Sequence, residues 1–529
     1  MRLHKKMKPI ALALIGMGIA SSAFAGEPIQ FDNGGVLQWR VNSTYTLSTR
    51  IESRDSLLSS QATNANGNDG NNNFDRGDLT ANRLSMLLDV NYKLGDSGLV
   101  MSASTFYDDV YHQSNDNSSA TPPNKLGGAA DAFNGDTKRY HGGYTRMLDA
   151  YAFTAFDVGS EGRMTWRLGR HAVSWGEALF FPGISLAQGP ADGTKTGVPG
   201  TETKDQLLPE DQVSLQYEVN DKLSLLAHVQ YGWHETIAPA VGSYLSTSDL
   251  TGPGSQCLGA GCVRRAADDE PGNTGQWGVG TRYRVTDETE VGLYYLNYHD
   301  RTPNLDIHYA GTATPYYQIR YQEDVKLVGA TLSTTFGIAT LGMEMSYKKD
   351  APAIVKTTFY GGPIPTATTA DILQTNVNTF INLGRTWLAP QSQLLAEVSY
   401  VDVSNPEARR VPGAGASTAG APLNDQLLFG SYGLAFQALL SSTYPGIIEN
   451  WELGTTVAYS RQLKGRTLLG GVGGEGDHRL SLGGTMTYKR NFQVGLTYLG
   501  YYGDASLDPI RSRQLTDRDQ LSLTMKYSF

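Results

Sequence analysis

The sequence predicts an all-β fold: a transmembrane antiparallel β-barrel of about 18 strands, with 16 as the smaller alternative. Three observations carry that prediction. Apolar and polar residues alternate with a period of two over segments of about 10 residues, the length of a tilted membrane strand. The links between those segments alternate between short and long, the pattern of a barrel with periplasmic turns and extracellular loops. Charged residues are only 18%, while Gly contributes 60 residues and Tyr 29, with a mean hydropathy of −0.33. A helical membrane protein would need several apolar runs of about 20 residues, and the sequence lacks them. With 52 acidic against 43 basic side chains, nucleic acid is not an expected partner.

In chain order, the first element is an address. Arg2, Lys5, Lys6 and Lys8 precede the apolar stretch Pro9 to Ala20, and Ala23-Phe24-Ala25 offers small residues where a signal peptidase reads. Residues 1–25 are expected to be a cleaved signal peptide, leaving 26–529 for an exported barrel. The expected location is the outer membrane of a Gram-negative cell, in contact with its lipid and lipopolysaccharide.

The strands are expected near 36–51, 82–94, 99–112, 146–158, 163–175, 212–219, 222–233, 275–285, 289–299, 323–335, 339–349, 374–387, 392–403, 430–443, 450–461, 478–489, 491–502 and 519–529. The last is the clearest: Leu521, Leu523, Met525, Tyr527 and Phe529 share one face, and Gln520, Ser522, Thr524, Lys526 and Ser528 the other. In a bilayer the apolar face meets lipid and the polar face lines the lumen. Eight short links, such as Asn220–Asp221 and Arg490, alternate with nine long polar ones. An even count follows from closure, which leaves no unpaired edge in lipid. The uncharged stretch Gln426 to Ile448 is long enough for a helix, but Tyr432, Leu434, Phe436, Ala438 and Leu440 alternate, so it is read as a strand.

Cys257 and Cys262 lie in the Gly-rich segment Gly252 to Cys262. In an oxidising compartment they are expected to form a local disulfide. No further Cys or His stands beside them, so no metal site is expected.

The lumen is expected to carry Arg163, Arg167 and His171 from one strand, with Glu218, His228, Arg282, Arg284, Glu344, Lys348, Glu397, Glu452 and Arg479 from others. Mixed signs imply no strong ion selectivity. Each charge, taken singly, reads first as a cross-strand partner. The segment from Trp175 to Pro209 is the functional candidate. It holds Trp175, Glu177, Phe180, Phe181 and Pro182, and a long loop should not display two Phe side chains to water. Folding into the barrel would make a constriction or an apolar patch, or would brace the wall, and Glu177 could pair with Arg163, Arg167 or His171. Arg76-Gly77-Asp78 is a chance tripeptide, Asn64 to Asp75 places its glycine wrongly for a calcium loop, and Gly470 to Asp477 lacks the Lys of a phosphate cradle. No Ser/His or Asp/His pairing marks a catalytic site. The chain reads as no enzyme, with no cofactor.

Two stretches resemble a known family. Gly169-Arg170-His171-Ala172-Val173-Ser174-Trp175-Gly176-Glu177, followed by Phe180-Phe181-Pro182-Gly183, resembles the G-R-x-x-x-S-W-G-E and F-F-P-G stretches of a pseudomonad-type outer-membrane family catalogued as domain of unknown function 1302. The ending Asp517-Arg518-Asp519 through Tyr527-Ser528-Phe529 is similar to its terminus, and Trp233 with Ser246-Thr247-Ser248-Asp249 to its middle. The terminal aromatic looks like the signal read by the outer-membrane assembly machinery. The resemblance implies an outer-membrane barrel associated with hydrophobic compounds, in the setting of an RND-type exporter and a companion exported protein. The leading expectation is therefore a channel passing hydrophobic or amphipathic small molecules. The alternative is a passive porin for small polar solutes.

Overall fold

Alternating faces can be satisfied in a membrane only if every strand finds two neighbours, and the chain does this by closing on itself. The computed structural model describes residues 26–529, apart from 120, 121, 123, 127, 260, 312 and 313. The expected signal peptide, residues 1–25, lies outside the described residues. Eighteen strands form the barrel: β1 (Val36–Arg50), β2 (Leu79–Leu94), β3 (Ser97–Asp108), β4 (Gly143–Val158), β5 (Gly162–His171), β6 (Glu210–Glu218), β7 (Leu223–Gln230), β8 (Trp277–Arg284), β9 (Thr289–Tyr298), β10 (Val325–Phe336), β11 (Ala339–Phe359), β12 (Gly362–Gly384), β13 (Gln391–Ser404), β14 (Tyr432–Ile448), β15 (Trp451–Gly465), β16 (His478–Tyr488), β17 (Phe492–Tyr502) and β18 (Gln520–Ser528). Each pairs antiparallel with its sequence neighbours. β1 meets β18 from Asn42 opposite Ser528 to Arg50 opposite Gln520, which closes the ring.

The two faces carry opposite chemistry. On β11, Leu341, Met343, Met345 and Tyr347 are exposed on the outside, while Glu344, Ser346 and Lys348 between them are buried inside. Such a molecule would be inside out in water and is matched in a bilayer. No described helix is long and apolar enough to cross a membrane, so the strands do the crossing. A closed barrel with an apolar exterior places the chain in the outer membrane.

β9 departs from the alternation. Leu293 and Tyr295 face out and are exposed, but Tyr294, Leu296 and Tyr298 face in and are buried. A strand apolar on both faces must be covered on both faces. Lipid covers the outside, and something inside the lumen must cover the rest.

One expected loop is a strand pair. Residues 350–373, read as a connection, extend β11 and β12 into a long hairpin whose arms pair from Ala351 opposite Ala370 to Phe359 opposite Gly362. Pro352, Pro363 and Pro365 have no N–H to give to a ladder, a loss that the edges of a two-stranded arm tolerate. Tyr360 and Gly361 turn the hairpin with φ of 48° and 83°, the left-handed pair of a type I′ turn. Beside it the long loops build a four-stranded sheet from Cys257–Leu258, Val263–Arg265, Asn304–His308 and Tyr316–Arg320. Cys257 and Cys262 are joined there, with Cα atoms 4.5 Å apart. Ile307, Tyr317, Ile364, Val411 and Ala421 form a small core under this cap.

Candidate functional site

The cover for β9 is the loop between β5 and β6. β5 ends at His171, so Trp175 lies beyond the strand, where the chain turns into the lumen. Trp175 is buried with its indole stacked at 5.8 Å on Tyr294 and edge-on to His228 at 4.9 Å. Ile184 and Ala187 pack into the same cluster, with Leu226, Leu296 and Leu327. The loop and the inner wall thus make an apolar core inside the barrel. Each large side chain buried there contributes roughly 1.5–3 kcal/mol.

Polar contacts hang the tip of the loop on the β11–β13 wall. The Glu344 carboxylate accepts the backbone N–H groups of Glu177 (2.8 Å), Ala178 (3.3 Å) and Ile184 (2.7 Å). The Glu397 carboxylate accepts those of Leu179 (3.2 Å), Phe180 and Phe181 (3.0 Å). From β12, Asn376 and Asn378 donate to the carbonyls of Phe181 (2.7 Å) and Glu177 (2.6 Å). A buried carboxylate is costly unless it is hydrogen-bonded, and six N–H donors offset that cost for the pair. The same cradle explains two glycines of the Trp-Gly-Glu and Phe-Phe-Pro-Gly stretches. A Cβ on Gly176 or Gly183 would collide with an oxygen of Glu344.

The loop then crosses the barrel. Asp192 is buried, bonded to the Tyr144 hydroxyl (2.7 Å) and Arg146 (2.8 Å) on β4. Further on, the Gly197 carbonyl accepts from Gln520 (2.8 Å) and the Pro199 carbonyl from Thr46 (3.0 Å). Glu202 accepts from Asn42 (3.1 Å) and pairs with Lys526, and Lys204 pairs with Asp89 (2.6 Å) and Asp149 (2.7 Å). One segment therefore reaches both the β11–β13 wall and the β18–β1–β2 wall. Between Gly197–Thr203 and the barrel lies a cavity of about 520 Å³, lined by Thr44, Ser481, Thr485, Gln493, Thr497 and Thr524, with Lys526 at its side.

The expected site residues are only partly brought together. Trp175 and Phe181 are buried in the wall, Phe180 is half-buried, and Leu179 (45% exposed) and Pro182 look into open space. The expected pairing of Glu177 with Arg163, Arg167 or His171 is not made, and the cation acting on Glu177 is Arg282. Arg163 sits at the turn end of β5, bonded to Asp96 (2.6 Å) and Asp157 (2.8 Å), too far down the strand to meet the loop. His171 is buried at the other end, against Ser214 (2.7 Å) and the Gly169 carbonyl (2.9 Å). Arg167 lies between them, facing the lumen below Trp175. Glu344 and Glu397 read in the sequence as ordinary lumen charges, and Asn376, Asn378 and Tyr294 belong to no motif. The one available signal was the run Leu293 to Leu296, apolar on both faces of its strand. Among the described residues no group of three or more His, Cys, Asp or Glu stands ready to hold a metal.

A family model described as "Protein of unknown function (DUF1302)" matches residues 6–529. No protein of curated function matches. Among solved structures, the chain is similar to OccK5 (OpdH) of Pseudomonas aeruginosa at 10% identity, covering 93% of this chain and 98% of that one, with a TM-score of 0.41. It is similar to OccAB1 of Acinetobacter baumannii at 11% identity, covering 96% and 99%, with a TM-score of 0.42. The outer membrane channel DcaP of Acinetobacter baumannii is likewise similar at 11% identity, over 96% and 100%, with a TM-score of 0.37.

Proposed function

Because the chain belongs to the DUF1302 family of proteins of unknown function, we propose a role from its own geometry: an outer-membrane channel whose bore is narrowed by the β5–β6 loop and which passes small polar solutes. The observation that carries this reading is the crossing itself. The loop commits Trp175, Phe181 and Ile184 to packing, and the space it leaves beside Gly197–Thr203 is lined by hydroxyls and the Glu202–Lys526 pair, with Val198, Pro199 and Leu499 among them. The hydroxyls and the ion pair can exchange hydrogen bonds with a hydrated solute on its way through. The protein reconstituted in planar bilayers should give a steady unitary conductance, and proteoliposomes should swell in small sugars more than in larger ones. Electrical silence together with no swelling would reject the channel.

A second reading, passage of hydrophobic or amphipathic molecules, draws support from Leu179, Phe180 and Pro182, which remain open to the lumen. Coupling to an RND-type exporter and a companion exported protein belongs to that reading. Trp175 and Phe181, which first pointed to it, are buried in packing, with only an edge of Trp175 left to border a cavity. Saturable binding of an apolar probe by an electrically silent protein would favour the second reading over the first.

A further inference from the structure

We propose that the lumen holds, beneath the loop, a binding subsite for a small organic anion with an apolar body. It rests on the channel reading only for the route by which the anion arrives. The site is a cavity of about 150 Å³ between β5, β6, β7, β8 and the start of the loop, separate from the hydroxyl-lined passage. That is about five times the share of one water molecule in the liquid, enough for a small organic acid. Its chemistry is two-sided. Arg167 and Arg282 bring guanidinium groups, Thr165, Ser174, Ser214 and Gln216 add polar groups, and Val173 with the bordering edges of the otherwise packed Trp175 and Leu226 makes the apolar side.

The charge at this place is not used up by the protein. Arg282 gives its Nε–H to the Tyr294 hydroxyl at 3.2 Å and has Glu290 at 4.0 Å, with Glu177 also acting on it. Arg167 has no hydrogen bond or ion pair among the described residues, and the Tyr151 ring lies 6.0 Å from its Cζ. Arg163, four residues earlier on the same face, carries two carboxylates instead. A guanidinium without an acceptor, beside a second one only partly neutralised, favours a carboxylate or phosphate lodged between them. The indole and the aliphatic side chains then select anions that carry a ring or short chain.

The purified full-length protein in detergent micelles tests this with three probes: benzoate, benzyl alcohol and acetate. Benzoate should bind saturably by calorimetry and perturb tryptophan fluorescence, and that perturbation should be absent in Trp175→Phe. Benzyl alcohol and acetate should each bind at least about tenfold more weakly, as should benzoate to Arg167→Gln, a loss of the size expected when a charge-assisted pair is removed. Arg167 is exposed to the lumen, so the variant is expected to fold, and retained heat-modifiable migration on gels checks it. Equal binding of benzyl alcohol, equal binding of acetate, no benzoate binding, or an unchanged affinity in Arg167→Gln would each overturn the subsite. These titrations need no transport, so silence in a bilayer would sink the channel and leave the subsite standing, and the reverse holds.

Discussion

Asp517, Arg518 and Asp519, prominent in the family resemblance, act as a knot between the barrel rim and its cap. Asp517 pairs with the buried Arg50 at 2.9 Å, Arg518 donates to the carbonyls of Tyr244 and Ser246, and Asp519 accepts from Tyr498 and the Tyr501 N–H. At the same rim His141 is buried, and its Nε2 accepts the Ala240 N–H at 3.2 Å, which only a neutral ring can do. Burial, with Arg83 and Lys195 nearby, pushes His141 from its ordinary 6.5 down to about 3. The unfolded loop would bind a proton below 6.5 while the folded one refuses it until about 3. Stability of the cap is therefore full above pH 6.5 and falls through that window, by up to about 1.4 kcal/mol per pH unit. Hydrogen exchange of the Ala240 amide should accelerate as pH drops from 6.5 toward 3, after correction for intrinsic rates, and His141→Gln should flatten the trend. An exchange profile independent of pH in the native protein would show that the ring is not the sensor.

At the scale of the element, the β5–β6 loop is held by two different forces at its two ends: an apolar core with carboxylate acceptors near Trp175 to Ile184, and ion pairs near Glu202 and Lys204. The carboxylates are the more decisive because each one satisfies three N–H groups. Replacing Glu344 or Glu397 by Ala leaves those donors buried and unpaired, at a cost of about 1–3 kcal/mol each. Either variant should still close its barrel, because the strand ladders are untouched. Its single-channel current should become larger and noisier as the loop leaves the wall, with the double variant exceeding both. The Gln variants, which keep one acceptor oxygen, should fall between. Recordings identical to the native protein in a folded Glu344→Ala, Glu397→Ala double variant would mean that the loop does not set the bore.

Across the whole molecule, the apolar exterior is uneven. Three consecutive short turns, β10–β11, β12–β13 and β14–β15, display Phe336, Ile338, Trp387, Leu388, Ile447 and Ile448, with Trp387 91% exposed. The tips of other short turns are polar, as at Gly95-Asp96, Asn220-Asp221, Asp287-Glu288 and Lys489-Arg490, with single exposed Leu94 and Val285 beside two of them. Left in water, such a patch would be costly, and Trp favours the boundary between headgroups and acyl chains. The bilayer boundary should therefore run lower along the β10–β15 arc. In nanodiscs containing brominated lipids, tryptophan emission should be quenched, and Trp387→Phe should remove a measurable share of the quenchable signal. An unchanged quenchable fraction would place Trp387 outside the lipid.

The number of strands and the face each presents were legible in the sequence, because a period of two and the chemistry of a tight turn are local properties. All 18 expected segments are strands, and Gln426 to Ile448 is one from Tyr432 onward. The extended β11–β12 hairpin was not legible, since Pro352, Pro363 and Pro365 speak locally against a strand and only the pairing of two arms answers them. The path of the loop was legible only as a choice between gate and brace. Phe180 and Phe181 call for cover without saying what supplies it, and only Phe181 is fully buried. Their acceptor, Glu397, stands 217 and 216 residues away, and closure of the ring is what brings it across the lumen. Local pattern determined the wall of this protein; what fills and narrows it was decided by tertiary contacts that exist only once the barrel is shut.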